Sequence, residues 1–231
     1  MRTMSRRVGL AALLCLVAGP ALPQTPPSTA EAAAYRGLHA AAWRGETGEV
    51  GRMIRDGADP NTRDANGRTP LHVAAFAGHQ AAARALLTVG RADPSLLGNQ
   101  RYDAITIAAV RDDTAMVKTL LDHGGSAKLI TSRYDGTALI AAAHLGHEGV
   151  VEALIQAGAP LDHVNNLGWT ALIEAVILGS GGPRHTATVQ ALVRAGANPN
   201  IADRDGVTPL QHARSRGYTA MAEMLQAAGG R

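Results

Sequence analysis

The stretch Thr69-Pro70-Leu71-His72-Val73-Ala74-Ala75-Phe76-Ala77-Gly78-His79 decides the fold, because the same frame returns along the chain. Further copies, some of them degenerate, start at Gly37, Asp103, Thr137, Thr170 and Thr208. One apolar position recurs in every copy. It is occupied by Leu38, Leu71, Ile105, Leu139, Leu172 and Leu210, at spacings of 33, 34, 34, 33 and 38 residues. Self-similarity at such a period indicates a stack of repeated units.

Each unit has the pattern of two short helices and a turn. The Thr hydroxyl caps the first helix, and Pro is tolerated at the first helical position. Paired alanines allow the next unit to approach closely, and the second helix carries apolar pairs such as Leu86-Leu87. A Gly-Ala-Asp-Pro-Asn segment at 57–61, with related segments later in the chain, then turns the backbone.

These motifs resemble those of ankyrin-repeat proteins, and the resemblance covers about residues 30–229. It implies an all-α repeat solenoid of about six repeats, in which paired antiparallel helices are joined by projecting β-hairpin fingers. The expected repeats span about 30–63, 64–97, 98–131, 132–164, 165–202 and 203–229. Ser28 and Glu31 have capping-box spacing and predict a helix that covers the first repeat. Repeat 3 is expected to be the least stable inner repeat, because Asp112-Asp113 replace Gly-His.

The N-terminus has the order of a secretory signal. Basic residues are followed by an apolar run over 8–18 and by small residues near Ala21. This pattern predicts a cleavable Sec-type signal peptide over residues 1–21 and export to the periplasm. Residues 22–29 are rich in proline and are expected to form an extended, unstructured leader before the repeat domain of 30–231.

Removal of the signal changes the charge balance. Arg2, Arg6 and Arg7 leave and no acid does, so the basic residues fall from 22 to 22 − 3 = 19, against 19 acidic residues. A basic bias that would indicate nucleic acid as a partner is then absent. The single cysteine, Cys15, also leaves, so the mature chain is expected to hold no disulfide and no thiolate metal site.

Nine histidines raise the question of metal binding or catalysis. Four of them, His39, His72, His79 and His147, fall at the two histidine positions of the repeat and are expected to hydrogen-bond to backbone at turns. Glu174 is the one acid in a block of the Thr-Pro-Leu-His type, and we expect it to be a partly exposed, hydrogen-bonded side chain. We therefore predict no enzyme activity, no metal and no cofactor.

The irregular stretch Ile177-Leu178-Gly179-Ser180-Gly181-Gly182-Pro183-Arg184-His185 raises three possibilities. It could be an active-site loop, an anion site on Arg184 or a local elaboration of the scaffold. The step from first-helix Gly to second-helix Leu is 8 residues between Gly78 and Leu86, but 13 between Gly179 and Leu192. Five extra residues explain the 38-residue spacing, and this favours an enlarged turn.

Binding is expected on the concave surface, at finger positions and at the ends of the first helices. Scarce aromatics and arginines occupy these variable positions, and both residue types are enriched in protein-binding hot spots. The predicted partner-binding residues are Trp43, Arg44, Arg68, Phe76, Tyr102, Arg111, Tyr134, His144 and Trp169. The alternative for several aromatics is packing between neighbouring fingers.

The sequence therefore predicts a monomeric, non-catalytic scaffold that binds a protein partner in the periplasm. The segment from Gly168 to Gly182 and the signal-like N-terminus resemble those of exported bacterial ankyrin proteins, and this narrower resemblance implies an alternative. On that alternative the chain is an accessory protein for oxidative-stress defence that supports a partner enzyme such as a catalase.

Overall fold

The computed structural model of the chain describes residues 24–231, and the predicted signal peptide lies outside them. Within this range the chain forms thirteen helices. They are α1 (Thr29–Ala34), α2 (Gly37–Arg44), α3 (Thr47–Arg55), α4 (Pro70–Ala77), α5 (Gln80–Thr88), α6 (Ala104–Val110), α7 (Thr114–Asp122), α8 (Ala138–Leu145), α9 (Glu148–Gln156), α10 (Ala171–Ile177), α11 (Pro183–Arg194), α12 (Pro209–Ser215) and α13 (Thr219–Ala227). None of them is long and apolar enough to cross a membrane.

The helices from α2 to α13 form six antiparallel pairs, and each pair packs on the next. The first helices of the pairs make one layer, in which α2 packs on α4, α4 on α6, and so on to α12. The second helices make a parallel layer from α3 to α13. This arrangement confirms the predicted all-α solenoid of six repeats.

Repeated side chains determine where the first helices begin. The side chains of Thr69, Thr137, Thr170 and Thr208, and that of Asp103 in repeat 3, each accept a hydrogen bond from a backbone N–H in the first turn. Such a cap stabilises a helix by about 1 kcal/mol. The capping box of Ser28 and Glu31 is also present and opens α1, as predicted.

The period of the sequence is the period of the core. Leu71, Ile105, Leu139, Leu172 and Leu210 are at most 1% exposed and follow one another through the stack. Fully buried alanines, such as Ala74-Ala75 and Ala142-Ala143, separate these larger side chains. Because alanine is small, neighbouring helices approach closely enough to exclude water from the whole seam.

The fingers are tighter than expected, since the described residues contain no strand beyond an isolated bridge between Thr131 and Gly136. In the finger of repeat 2, Asp64 N–H donates to Arg68 O at 2.9 Å. The return bond is missing, because Arg68 N–H donates instead to the Asp64 carboxylate at 2.8 Å. Asn165 with Trp169, and Asp203 with Val207, repeat this arrangement. The fingers of repeats 2, 5 and 6 are therefore turns closed by a side chain.

The structure describes residues 24–27 of the leader. Gln24 and Pro27 are buried, and Arg68 Nη2 donates to Thr25 O at 3.1 Å. Residues 24–27 have no regular secondary structure, but they are attached to the repeat domain, because Thr25 hydrogen-bonds to Arg68 and Gln100 on the fingers. Residues 22 and 23 lie outside the described range.

Candidate partner-binding surface

One row of side chains stands at the ends of the first helices, in the position just before the turn to the second helix. We call it the helix-end row, and its members are Arg44, Ala77, Arg111, Leu145, Leu178 and Arg216. All of them except Ala77 are exposed. Leu145 and Leu178 are 36% and 37% exposed, in consecutive repeats. The row therefore has an apolar centre with arginines in the repeats on either side.

The position before the helix-end row is more buried. Trp43 and His144 are half-buried, and Trp43 packs against the core. Phe76 is only 8% exposed. Large side chains at this position therefore contribute to the packing of the helix layer as well as to its surface.

The predicted partner-binding residues fall into three groups. Arg44 and Arg111 are exposed, and Arg44 pairs with Glu46 at 2.7 Å. Tyr102, Tyr134 and Trp169 on the fingers are half-buried, as are Trp43 and His144. Arg68 and Phe76 are buried, at 7% and 8% exposure, and partner binding by the nine residues stays a prediction.

The Arg68 side chain is buried because it joins the finger of repeat 2 to the N-terminal segment. Its Nη1 lies 3.4 Å from Glu31 Oε1 and 3.5 Å from Asp64 Oδ2, and it donates to Tyr35 Oη at 3.4 Å. The Tyr35 hydroxyl in turn donates to Asp64 Oδ2 at 2.9 Å. Burial raises the pKa of Tyr35 to about 12, and the adjacent Asp64 carboxylate adds to the rise. Arg68 thus contributes to packing where the finger of repeat 2 meets the N-terminal segment.

A second polar cluster lies where repeats 4 and 5 meet. Glu174 is 4% exposed, so the expectation of a partly exposed side chain is wrong, although its predicted hydrogen bonding is confirmed. His144 Nδ1 donates to Glu174 Oε2 at 3.0 Å, and Asn165 Nδ2 donates to Glu174 Oε1 at 3.0 Å. The carboxylate holds the imidazole in one orientation, as in a catalytic dyad. Among the described residues, however, no hydroxyl group hydrogen-bonds to His144, so the cluster lacks a nucleophile.

Four repeat histidines are predicted to hydrogen-bond to backbone, and three of them do so, each to a carbonyl of a neighbouring repeat. His39 Nε2 donates to Arg68 O at 2.8 Å, and His72 Nε2 donates to Tyr102 O at 3.0 Å. His147 Nδ1 donates to Ala109 O at 2.8 Å. His79 packs instead against Gly45, where a Cβ would lie 2.8 Å from His79 Nδ1. Within residues 24–231, no group of three or more His, Cys, Asp or Glu side chains could hold a metal ion.

In repeat 5, Ser180 stands where repeats 2 and 4 have the histidine of Gly-His. The five-residue insertion is followed by His185, which makes the backbone hydrogen bond instead. The helix α11 begins at Pro183 and has 12 residues, and His185 Nε2 donates to His144 O at 2.9 Å. A Cβ at Gly146 would lie 3.1 Å from the His185 ring. His185 therefore packs on Gly146 as His79 packs on Gly45. The insertion is therefore an elaboration of the scaffold, and Arg184 is engaged by Asp112 at 2.6 Å.

Comparison with known proteins agrees with this architecture. The family model described as ankyrin repeats matches residues 38–131 and 105–203. The chain belongs to the ankyrin-repeat family. It is similar to the ankyrin-repeat protein YahD of Escherichia coli (strain K12), with 33% identity over 82% of this chain and 94% of that protein.

Two further proteins are similar to this chain, one a repeat domain of known structure and one a longer human protein. An ankyrin-repeat domain of known structure from Acinetobacter baumannii AYE is 42% identical, with a TM-score of 0.80 over 84% of this chain and 98% of that domain. The human ankyrin repeat and SOCS box protein 16 is 32% identical over 81% of this chain. The match spans 42% of that protein, so ankyrin repeats there form part of a larger chain.

Proposed function

We propose that this ankyrin-repeat chain is a non-catalytic scaffold that docks a protein partner on the helix-end row, and that it acts in the periplasm. Ankyrin repeats generally act in protein–protein interaction, and the geometry of this chain supports a particular location for it. The observation that carries the proposal is the exposure of Leu145 and Leu178 at equivalent positions of consecutive repeats.

The exposed part of each leucine, 36% for Leu145 and 37% for Leu178, contributes nothing to folding because water covers it in the free protein. Buried in an interface, each would remove apolar surface from water at about 25 cal/mol per Å2. Arg111 precedes this pair by one repeat and Arg216 follows it by one repeat. An apolar centre with arginines at its margins is the composition found in protein interfaces.

The test introduces negative charge at the centre of the helix-end row. A variant with Leu145→Asp and Leu178→Asp is compared with Val89→Asp, which places a charge on a side chain that is 46% exposed after α5 in the other helix layer. Crosslinking in the periplasm first identifies the partner, and the purified partner is then titrated. We expect at least a tenfold loss of affinity for the double variant and little change for the control. Equal affinities for all three proteins would rule out the helix-end row.

The periplasmic location rests on the signal-like pattern of residues 1–21. Cell fractionation and N-terminal sequencing of the secreted chain test it, and a mature chain beginning at Leu22 is the expected result. Recovery of the intact chain from the cytoplasm would contradict the location without affecting the binding surface.

The oxidative-stress alternative concerns the choice of partner rather than the surface. If the partner is a catalase, a deletion strain is more sensitive to peroxide, and the strain with Leu145→Asp and Leu178→Asp shares that sensitivity. Normal peroxide tolerance in both strains would exclude this alternative.

A further inference from the structure

The chain lays its own N-terminal segment across the fingers of repeats 2 and 3. We call residues 24–27 the strap. Thr25 O accepts a hydrogen bond from Arg68 Nη2 at 3.1 Å. The Gln100 side chain faces both the backbone N–H and the hydroxyl of Thr25, at 3.5 Å in each case. The strap has no regular secondary structure and links two successive fingers through Thr25.

A cleft lies beside the strap, and the predicted binding residues line it. Thr25 contributes one wall, and the others come from Asn66, Arg68, Phe76, Gln100 and Tyr102. Three of the residues that the sequence marks as candidates for partner binding therefore meet at one place. Of the strap, Thr25 forms part of that place.

The strap is poorly matched to its site. Two of its three hydrogen bonds, at 3.5 Å, are at the limit of the accepted distance. Gln24 is 6% exposed, and among residues 24–231 neither its Oε1 nor its Nε2 has a hydrogen-bond partner. A buried amide without partners is unfavourable, because it gives up its hydrogen bonds to water and gains none in return. Residues that serve only to stabilise a fold are rarely left in this state.

We propose that this cleft is a binding site for an extended segment of a partner protein, and that the strap is its intramolecular competitor. The inference rests on the proposed protein-binding function and adds a second contact region at repeats 2 and 3. The chain shows that the fingers beside this cleft accept a segment without regular secondary structure, because Thr25 of the strap hydrogen-bonds to Arg68 and Gln100 there.

The contacts of the strap define the chemistry of the partner segment. Arg68 Nη2 requires a backbone carbonyl at the place of Thr25. Pro27 is buried, and proline suits a buried position because it has no N–H to satisfy. At the place of Gln24 an apolar side chain fits better than an amide, since it leaves no polar atom unpaired. The expected ligand is therefore an extended segment with an apolar residue three positions before a proline.

Tethering explains how so weak a contact can regulate binding. A segment joined to its site by a short linker has an effective concentration in the millimolar range. It competes with a partner even when its intrinsic affinity is low, and it reduces the apparent affinity of the partner by the fraction of open sites. A better-matched segment displaces the strap.

The experiment titrates a synthetic peptide with the sequence of residues 22–27 and Gln24→Leu into the purified chain, followed by nuclear magnetic resonance at the amides of Asn66, Arg68, Gln100 and Tyr102. Two protein variants form a matched pair. Pro27→Gly removes a buried ring, whereas Pro26→Gly adds the same backbone freedom at an exposed position. A third variant, Gln24→Leu, is expected to hold the strap more tightly.

We expect half-saturation of the Pro27→Gly protein at a peptide concentration about tenfold below that of the unsubstituted chain, with a smaller change for Pro26→Gly. The Gln24→Leu protein requires a higher concentration, and the peptide with the natural Gln24 binds each protein more weakly. Identical half-saturation in all four proteins, or no amide shifts at millimolar peptide, overturns the proposal. Loss of partner binding through Leu145 and Leu178 can still be observed in that case, so the two proposals fail independently.

Discussion

The guanidinium carbon of Arg68 lies 5.8 Å from the centroid of the Phe76 ring. A finger and the first helix of the same repeat are thereby joined through a buried cation–π contact. The same guanidinium lies near the Glu31 and Asp64 carboxylates and donates to the Thr25 carbonyl. This one side chain organises the N-terminal end of the solenoid.

Replacement of Arg68 by Ala should therefore destabilise the protein. Asp64 would remain largely buried without its cation, and Phe76 would lose its stacked neighbour. We expect a loss of about 2 kcal/mol in the free energy of unfolding, measured by urea denaturation. Arg44→Ala is the control, because its pairing with Glu46 is exposed and should contribute little. Equal effects of the two substitutions would contradict the organising role of Arg68.

His72 makes the stability of repeat 2 depend on pH. Burial lowers the pKa of His72 from its usual 6.5 to about 4. In the fold its Nδ1 accepts from Thr69 N–H at 3.1 Å while Nε2 donates to Tyr102 O, so a second proton on the ring would face the Thr69 donor. The unfolded chain takes up that proton near pH 6.5, and the folded chain does so only near pH 4. Stability is therefore constant above about pH 7 and falls as the pH drops from 6.5 to 4.

A substitution taken from repeat 6 isolates this effect. There Gln211 occupies the position of His72, and Thr208 N–H donates to Gln211 Oε1 at 2.9 Å. We expect His72→Gln to keep the cap, to lose the bond to Tyr102 O, and to reduce the fall in unfolding free energy between pH 7 and pH 4 by roughly 2–3 kcal/mol. Parallel pH profiles for the two proteins would show that His72 is not the group responsible.

The insertion in repeat 5 should behave as scaffold. His185→Ala removes a bond to the His144 carbonyl and the ring that packs on Gly146. We expect it to cost about 1–2 kcal/mol of unfolding free energy, similar to His147→Ala, which removes the equivalent bond in repeat 4. Arg184→Ala should change stability little, since its pair with Asp112 is exposed. Wild-type stability in the His185→Ala protein would contradict the structural role.

The sequence predicts those parts of the molecule that recur in every repeat. The leucine ladder, the Thr caps and the bonds of His39 and His72 each follow from a fixed position in the period. The sequence also predicts the position of the enlarged turn in repeat 5, because the repeat period shows where five residues have been added.

The burial of Arg68 and Glu174 could not be predicted in this way. Both stand at variable positions, whose exposure depends on a neighbouring element rather than on the repeat. Arg68 is covered by the strap and by Glu31, which lie before the first paired helix α2, and Glu174 is covered by His144 and Asn165. Leu145 and Leu178 were visible as variable positions, but only the fold shows that two consecutive repeats expose apolar side chains there.

The cluster around Glu174 explains a departure from the repeat and leads to a last prediction. The fingers of repeats 2 and 6 carry Asp64 and Asp203 at the position that Asn165 holds in repeat 5. All three side chains accept backbone N–H bonds within their own finger, but Asn165 must also donate to the buried carboxylate of Glu174. Restoring the repeat residue with Asn165→Asp would bring two carboxylates together, and these cannot both ionise without a penalty.

We expect Asn165→Asp to lower the free energy of unfolding by about 2 kcal/mol at pH 7, where both carboxyl groups would otherwise be charged. The loss should diminish as the pH falls, since one of them then holds a proton. Glu174→Val introduces the residue that repeat 2 has at this position, Val73, and should make Asn165→Asp nearly neutral. Urea denaturation of the two single variants and the double variant gives the coupling between the positions directly. Additive effects would mean that Asn165 is not selected by Glu174, because the penalty of the Asn165→Asp substitution would then be the same with and without the buried carboxylate.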